Sequence, residues 1–534
     1  MLNDVDTNDD QQIITKNKQQ SGKNNCKKIA QKDKEDEDAR GSNKYKSLHR
    51  LKLSLLVLVV VFVSVFMFLM VACHLNLYTF STQHTPKSQT KVVHDFPLEC
   101  VAWNQTQSCP NNYPTTHTNP NPSLTNNTCP DYFRWIHEDL RHWRATGITR
   151  DMVEIAKQSA HFRLIILDGK LYVEKFRKSI QTRDLFTLWG FQQLLRLYPG
   201  RIPDLELMFD CDDRPVFNIN RYFRKKPNPG PPPLFKYCSD PRSLDIVSPD
   251  WSFWGWAETN QKPWEMTLKD IKEGNKRVTW KDRVPFAYWR GNPYVSNIRA
   301  DLIKCNATNS NVNWGAHLFI QDWIKESMHG YTSSNVEDQC TYRYKIYIEG
   351  WSWSVSEKYI MACDSPTFYI KPRYYTFFAR GMTPLEHFWP IRNTDMCKSL
   401  KFAVEWGNNH TSKAQEIGEA SSRFIQEDMK MGYIYDYMLH LLTEYAKLLK
   451  FKPTISPNAV EVCSESMVCL ADGNSRKFME NSLVRNPKSG IPCTMPPPYD
   501  PSTVKAIIDN KTRAIKQVEM WEDEYWKNQN LKHH

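Results

Sequence analysis

Two stretches of this chain hold residue types whose spacing suits chemistry. The first is Asp210-Cys-Asp-Asp-Arg-Pro215, which follows the mostly apolar stretch Leu205-Glu-Leu-Met-Phe209. That run reads as a β-strand, and ligands of α/β sheets collect outside the carboxyl ends of strands. Asp210 and Asp212 have the D-x-D spacing that holds a divalent ion on a diphosphate. Alternatively, one carboxylate serves as general base toward an acceptor hydroxyl, or the aspartates merely close a turn before proline. The second stretch runs from Arg343 to Cys363. Tyr344 to Ile348 alternates β-favouring residues, Gly350 breaks the run, and Ser354 with Glu357 has capping-box spacing that predicts a helix through Cys363. Thr367 to Lys371 then reads as another strand. In such a strand, glycine turn, helix, strand unit, unpaired backbone N–H groups and the positive end of the helix dipole suit a diphosphate. The stretch contains neither a G-x-G-x-x-G nor a Walker lysine motif.

The surrounding elements must position these groups. Val284 to Trp289 reads as a strand, followed by Arg290-Gly-Asn-Pro293 and a helix through Ile298 to Cys305. This repeats the strand, glycine loop, helix layout, with Arg290 and Arg299 placed to contact phosphate or a nucleobase edge. Trp251-Ser-Phe-Trp-Gly-Trp256 packs four aromatics into six residues at irregular spacing, which fits a sugar or acceptor platform or else a packed loop between domains. Phe162–Leu167, Asp168-Gly169 and Leu171–Glu174 predict a hairpin with a type I′ turn. Helices are expected over Tyr132–Trp143, Phe186–Tyr198, within Lys413–Lys450 and over Ser502–Asn528, and a short strand over Leu244–Val247.

Length predicts more than one domain: the chain has 534 residues, a formal charge of +11 and 14 cysteines. The folded part shows no basic patch, so no nucleic-acid partner is expected. Residues 1–50 are polar and read as a disordered cytosolic tail. Residues 51–73 form an apolar run long enough to cross a bilayer, which takes about 20 residues. Lys44, Lys46, Arg50 and Lys52 crowd its N-terminal side, whereas the next lysine beyond it is Lys87. The positive-inside rule then makes this a single-pass type II anchor, with residues 74–130 as a stem. Twelve cysteines lie beyond the span, an even number compatible with disulfides in an oxidising lumen. Sequons at Asn104, Asn126, Asn306, Asn409 and Asn510 lie on the same side. The expected location is the Golgi membrane, with the endoplasmic reticulum as the alternative. No Cys/His spacing resembles a zinc site.

Several long motifs then occur in order: Asp245-Ile-Val-Ser-Pro-Asp-Trp-Ser-Phe-Trp-Gly-Trp-Ala-Glu258, Tyr288-Trp-Arg-Gly-Asn-Pro293, Tyr344-Lys-Ile-Tyr-Ile-Glu-Gly-Trp-Ser-Trp-Ser-Val-Ser-Glu-Lys-Tyr359 and Phe402-Ala-Val-Glu-Trp-Gly-Asn408. Over roughly residues 130–455 they resemble the Rumi-type glycosyltransferases, a family of protein O-glucosyltransferases and capsule-associated xylosyltransferases, and especially its plant members. The resemblance implies an α/β, GT-B-like fold with two Rossmann-like lobes and a central cleft. Residues 131–275 would form the acceptor lobe, 276–455 the UDP-sugar lobe and 456–534 a C-terminal extension. It further implies an inverting transferase that moves glucose or xylose from a UDP-sugar to a protein or glycan hydroxyl without a metal. By motif matching, Asp213 is the base, Asn292 and Arg299 bind the donor, and Trp351, Ser352, Trp353, Ser354, Val355 and Ser356 form the diphosphate loop. Animal members end this loop in arginine where this chain has Ser356; Lys358 is the candidate for the missing charge. Two alternatives stand beside this reading: a metal-dependent transferase using Asp210 and Asp212, and a catalytically silent carbohydrate-binding protein.

Overall fold

The computed structural model of the chain describes residues 96–110, 127–225, 229–306, 312–488 and 490–532. The expected cytosolic tail, the membrane span 51–73 and most of the stem lie outside the described residues. Among the described residues no helix is long and apolar enough to cross a membrane.

The hairpin forms as its turn residues dictate. Strands β1 (Phe162–Leu167) and β2 (Lys170–Lys175) pair antiparallel. Asp168 and Gly169 between them take the positive φ angles, 50° and 73°, that a type I′ turn requires. β3 (Leu205–Phe209) is buried along its whole length, pairing antiparallel with β1 and parallel with β4 (Phe235–Lys236), which in turn pairs with β5 (Ile246–Val247). The second sheet comprises β6 (Val284–Gly291), β7 (Ala316–Ile320), β8 (Tyr342–Tyr347), β9 (Thr367–Ile370) and β10 (Trp389–Ile391). Its order is β10-β9-β8-β6-β7 and every pair is parallel, so all carboxyl ends point one way. Strand β11 (Val460–Val462) joins the first sheet beside β2. The chain is therefore a mixed α/β protein with two sheets, a Rossmann-like arrangement in which the first sheet is only partly parallel.

Each sheet has its own apolar core. The chain returns to the first lobe after building the second: Tyr445, on the helix Met431–Ala446, stacks edge-on against Phe235 and donates its hydroxyl to the Glu206 carbonyl at 3.0 Å. The terminal helix Pro501–Lys532 goes back to the second lobe, where Trp521 lies 6.2 Å from Trp389 and the Ser399 hydroxyl reaches Glu522 at 2.7 Å. Cys100–Cys469, Cys109–Cys463 and Cys129–Cys493 tie the end of the expected stem to the C-terminal segment, while Cys305–Cys397 and Cys340–Cys363 lie within the second lobe. Cys211 and Cys238 are free and buried.

Several local expectations need correction. The helix expected over Tyr132–Trp143 is broken into short pieces, Asp131–Arg134, Trp135–Asp139 and Arg141–Trp143, although Tyr132, Phe133, Trp135, Ile136, Leu140 and Trp143 still share one buried face. The Asn306 sequon offers no free acceptor amide: its Nδ2 donates to the Leu318 carbonyl at 3.0 Å and its Oδ1 accepts from the Leu318 N–H, pinning the turn to β7. Asn104, Asn409 and Asn510 are exposed.

Candidate active site

The carboxyl ends of β6 and β8 open onto a cleft of about 410 Å³ whose other wall is the loop after β3 and the segment around Trp251. The fold sorts the three aspartates after β3 into different environments. Asp210 is buried, with its carboxylate 2.9 Å from His161 Nδ1 and 3.0 Å from Arg177 Nη2, and it also accepts from Lys236 Nζ. Burial alone would raise this carboxyl, yet His161 and Lys236 hold it down to about 2. Asp212 lies 2.9 Å from Arg177 Nη1. Only Asp213 lines the cleft. Its Oδ1 accepts from Arg183 Nη1 at 2.8 Å, and the same guanidinium nitrogen also reaches the Cys211 carbonyl at 3.1 Å while the group lies over the Trp251 ring. His161, Asp210 and Asp212 bring ligand atoms close enough to hold a metal ion, but both carboxylates already have cationic partners.

The opposite wall is cationic. Arg299, on the short helix Asn297–Ile303, is buried and donates to the carbonyls of Asn292, Ile348 and Glu349 and to Ser354 Oγ, at 3.0–3.3 Å. These acceptors are neutral, and burial lowers its pKa to about 10. Lys345 sits in the cleft floor, donating to the Gln339 carbonyl at 2.9 Å beneath the Tyr288 ring, and burial pushes it well below its ordinary range. Arg290 reaches the Ser333 carbonyl. Among the described residues Arg290 and Arg299 are not ion-paired, so this wall of the cleft carries positive charge that no neighbouring carboxylate offsets, while Lys345, pushed toward its neutral form, adds a hydrogen-bond donor.

Of the expected donor residues, Asn292, Arg299, Trp351, Trp353, Ser354, Val355 and Ser356 line the cleft. Asn292 spends its Oδ1 on the Tyr294 N–H at 2.9 Å, leaving its amide nitrogen free for other use. Ser352 is buried and is not part of the cleft wall. Trp351 stands at the rim, 55% exposed, with the Arg214 guanidinium stacked 3.6 Å from its ring centre, which bridges the two walls.

The capping box expected at Ser354 and Glu357 does not form. The helix is only Glu357–Met361, Ser356 caps it without a side-chain bond, and the Ser354 and Ser356 hydroxyls bond each other at 2.8 Å. Glu357 instead points into the core, accepting from the Tyr369 and Thr376 hydroxyls. A helix this short brings little dipole, so the positive potential here comes mainly from side chains. Lys358 does not supply it: it is buried on the far side, donating to Ser252 Oγ at 2.6 Å and 3.5 Å from Asp250. The tryptophan-rich segment divides likewise. Trp251 and Trp256 line the cleft, whereas Phe253 and Trp254 are core, with Trp254 Nε1 on the Tyr435 hydroxyl. Gly255, at φ 138°, makes the sharp change of direction between them; a Cβ there would meet Phe478 at 2.8 Å. Sequence reasoning missed Arg183, which lies in no motif that signals a site, and passed over Lys345, which lies within the Tyr344–Tyr359 motif but at a strand position read only as sheet.

Burial pushes the Glu357 carboxyl up to about 7. A carboxyl raised on folding contributes stability that is complete below its unfolded value of about 4.3 and is lost as pH rises through the folded value. Glu357→Gln keeps an acceptor for Tyr369 and removes this titration. Scanning calorimetry should show the Tm of the variant falling less than that of the parent as pH rises from about 4.3 to about 7, with no further divergence above that; parallel profiles would mean another group titrates.

A cleft between two α/β lobes, with a carboxylate on one wall and cations on the other, is suited to an anionic ligand and a proton acceptor facing each other. Residues 124–522 match the family model described as Glycosyl transferase family 90, and the chain belongs to that family. It is similar to O-glucosyltransferase rumi of Drosophila pseudoobscura pseudoobscura, 24% identical over 339 residues, covering 61% of this chain and 79% of the relative. It is similar also to protein O-glucosyltransferase 1 of Bos taurus, 27% identical over 341 residues and covering 61% and 82%, and of Homo sapiens, 26% identical with the same coverage. The Rumi-type resemblance drawn from the motifs is thus borne out.

Proposed function

We propose that this glycosyltransferase is an inverting, metal-free, GT-B-like enzyme that moves glucose or xylose from a UDP-sugar to a hydroxyl of a protein or glycan acceptor. The observation that carries the reading is the placement of Asp213 and Arg299 on facing walls of one cavity. Asp213 takes the proton of the acceptor hydroxyl as its oxygen attacks the anomeric carbon from the face opposite the departing UDP. Arg183 holds the carboxylate in place by donating to its Oδ1. Arg299, Lys345 and the N–H groups of the loop from Gly350 to Ser356 receive the negative charge that accumulates on UDP, in place of a metal. Relatives named as protein O-glucosyltransferases favour a polypeptide acceptor and glucose. The five disulfides fit an oxidising lumen, and with the apolar run 51–73 they support a type II anchor in the Golgi membrane. The metal-dependent alternative is disfavoured by the partners of Asp210 and Asp212, which a divalent ion would have to displace.

UDP release by the full-length protein from UDP-glucose and from UDP-xylose, with and without EDTA, tests this reading. The expected result is EDTA-resistant turnover of one donor. Loss of turnover in EDTA would replace it with the metal-dependent mechanism, and UDP binding without turnover of either donor, acceptor protein included, would favour a silent binding protein.

A further inference from the structure

A second cavity, of about 300 Å³, lies at the carboxyl ends of β9 and β10, enclosed by these strands, the loop around Tyr374–Phe388 and the terminal helix. It shares no lining residue with the cleft. The strand ends deliver cations to it, since Lys371 directly follows β9 and Arg392 directly follows β10. Arg392 is already held by Asp523, at 2.6 Å, and by Glu522. Arg380, also in the wall, is held by Asp139 at 2.7 Å. The lysines are different. Lys511 reaches inward from the terminal helix and bonds only the neutral Arg380 carbonyl, and burial with the nearby Arg380 charge brings its pKa down to about 8. Among the described residues neither Lys371 nor Lys511 is ion-paired. Between them the wall is largely apolar, with Tyr374, Phe388 and Ile515, while Tyr369 is packed between Tyr347 and Phe388; the terminal helix also brings Glu519, and Glu522, which is engaged by Ser399 and Arg392.

Unpaired ammonium groups in one cavity with aromatic side chains, at the end of a parallel sheet where ligands collect, suit a small ring that carries an anion. The free cations are lysines, compact point charges that suit phosphate, whereas the arginines that would grip a carboxylate bidentately are already engaged. The volume is at the low end of ligand pockets, about 300–1,000 Å³, and so takes a monosaccharide rather than a nucleotide sugar. We propose that this cavity is a second ligand site that binds a sugar phosphate, its phosphate received by Lys371 and Lys511 and its ring by the aromatic wall.

The test is calorimetric titration of glucose 1-phosphate into the full-length protein, with UDP first titrated to saturation so that the cleft is filled and its behaviour is seen separately. One equivalent should bind. Lys511→Met should weaken that binding tenfold or more and Ile515→Trp, which fills the cavity, should abolish it, while both variants keep the parental Tm and UDP affinity. Inorganic phosphate should bind more weakly than glucose 1-phosphate; equal binding would overturn the part assigned to the ring. No binding to the saturated protein, or undiminished binding by both variants, would overturn the site.

Discussion

Asp213→Asn should reduce sugar transfer by about 10²–10⁴-fold, the share of a positioned general base, while UDP affinity and Tm stay at the parental values. The substitution is nearly isosteric, and the asparagine carbonyl oxygen can still accept from Arg183 Nη1, which lies 2.8 Å from Oδ1. What is lost is the capacity to take a proton. Neighbouring carboxylates cannot substitute: Asp210 is buried among cations, and Asp212 is outside the cleft wall. Transfer rates and calorimetric UDP affinity, measured on the same preparation, decide the matter. Retained transfer would remove Asp213 from its role, and a lost affinity or lowered Tm would make it structural. Asp210→Asn should behave in the opposite manner, losing stability because Lys236 would be left buried without its counter-charge.

The second large effect is expected at Arg299. Its guanidinium organises the loop after β8 by donating to three carbonyls and one hydroxyl, and it still presents charge to the cleft. Arg299→Met leaves those acceptors without donors and removes the cation. A lost charge-assisted hydrogen bond is worth about 1.5–3 kcal/mol, which corresponds to about 10–100-fold in UDP affinity. Arg299→Lys restores the charge but not the planar fork, so it should recover only part of the loss. The defect should appear in the dissociation constant for UDP, whereas that of Asp213→Asn appears in the rate of transfer; unchanged UDP affinity in Arg299→Met would sink the assignment.

The strands that build the site were legible because their signals are local. Leu205–Phe209 is apolar except for Glu206 and is buried on both faces, and Asp168-Gly169 can take the two left-handed conformations of a tight hairpin turn. The glycine loops after β6 and β8 mark the ends of parallel strands, which is where the cleft opens. The capping box failed because Glu357 found partners far from its own turn, Tyr369 and Thr376, which bury its carboxyl. The sequon at Asn306 failed as a modification site for a similar reason, its amide being engaged by Leu318.

By itself the sequence determined the family, the strand, glycine loop, helix units and a short set of chemically able residues, because each of these is written in contiguous residues or in a motif of fixed spacing. Tertiary structure alone decided which members of that set face the substrate. Asp210, Asp212 and Asp213 are the same residue type within four positions, and the approach of Lys236 and Arg177 ties the first two to cations away from the cleft, whereas the third, held by Arg183, lines it. Ser356 and Lys358 are two positions apart, yet a helical turn sends one into the cleft and the other into the core beside Asp250. Burial and long-range charge pairing set the protonation and direction of each side chain, and neither is encoded within any one stretch of the chain.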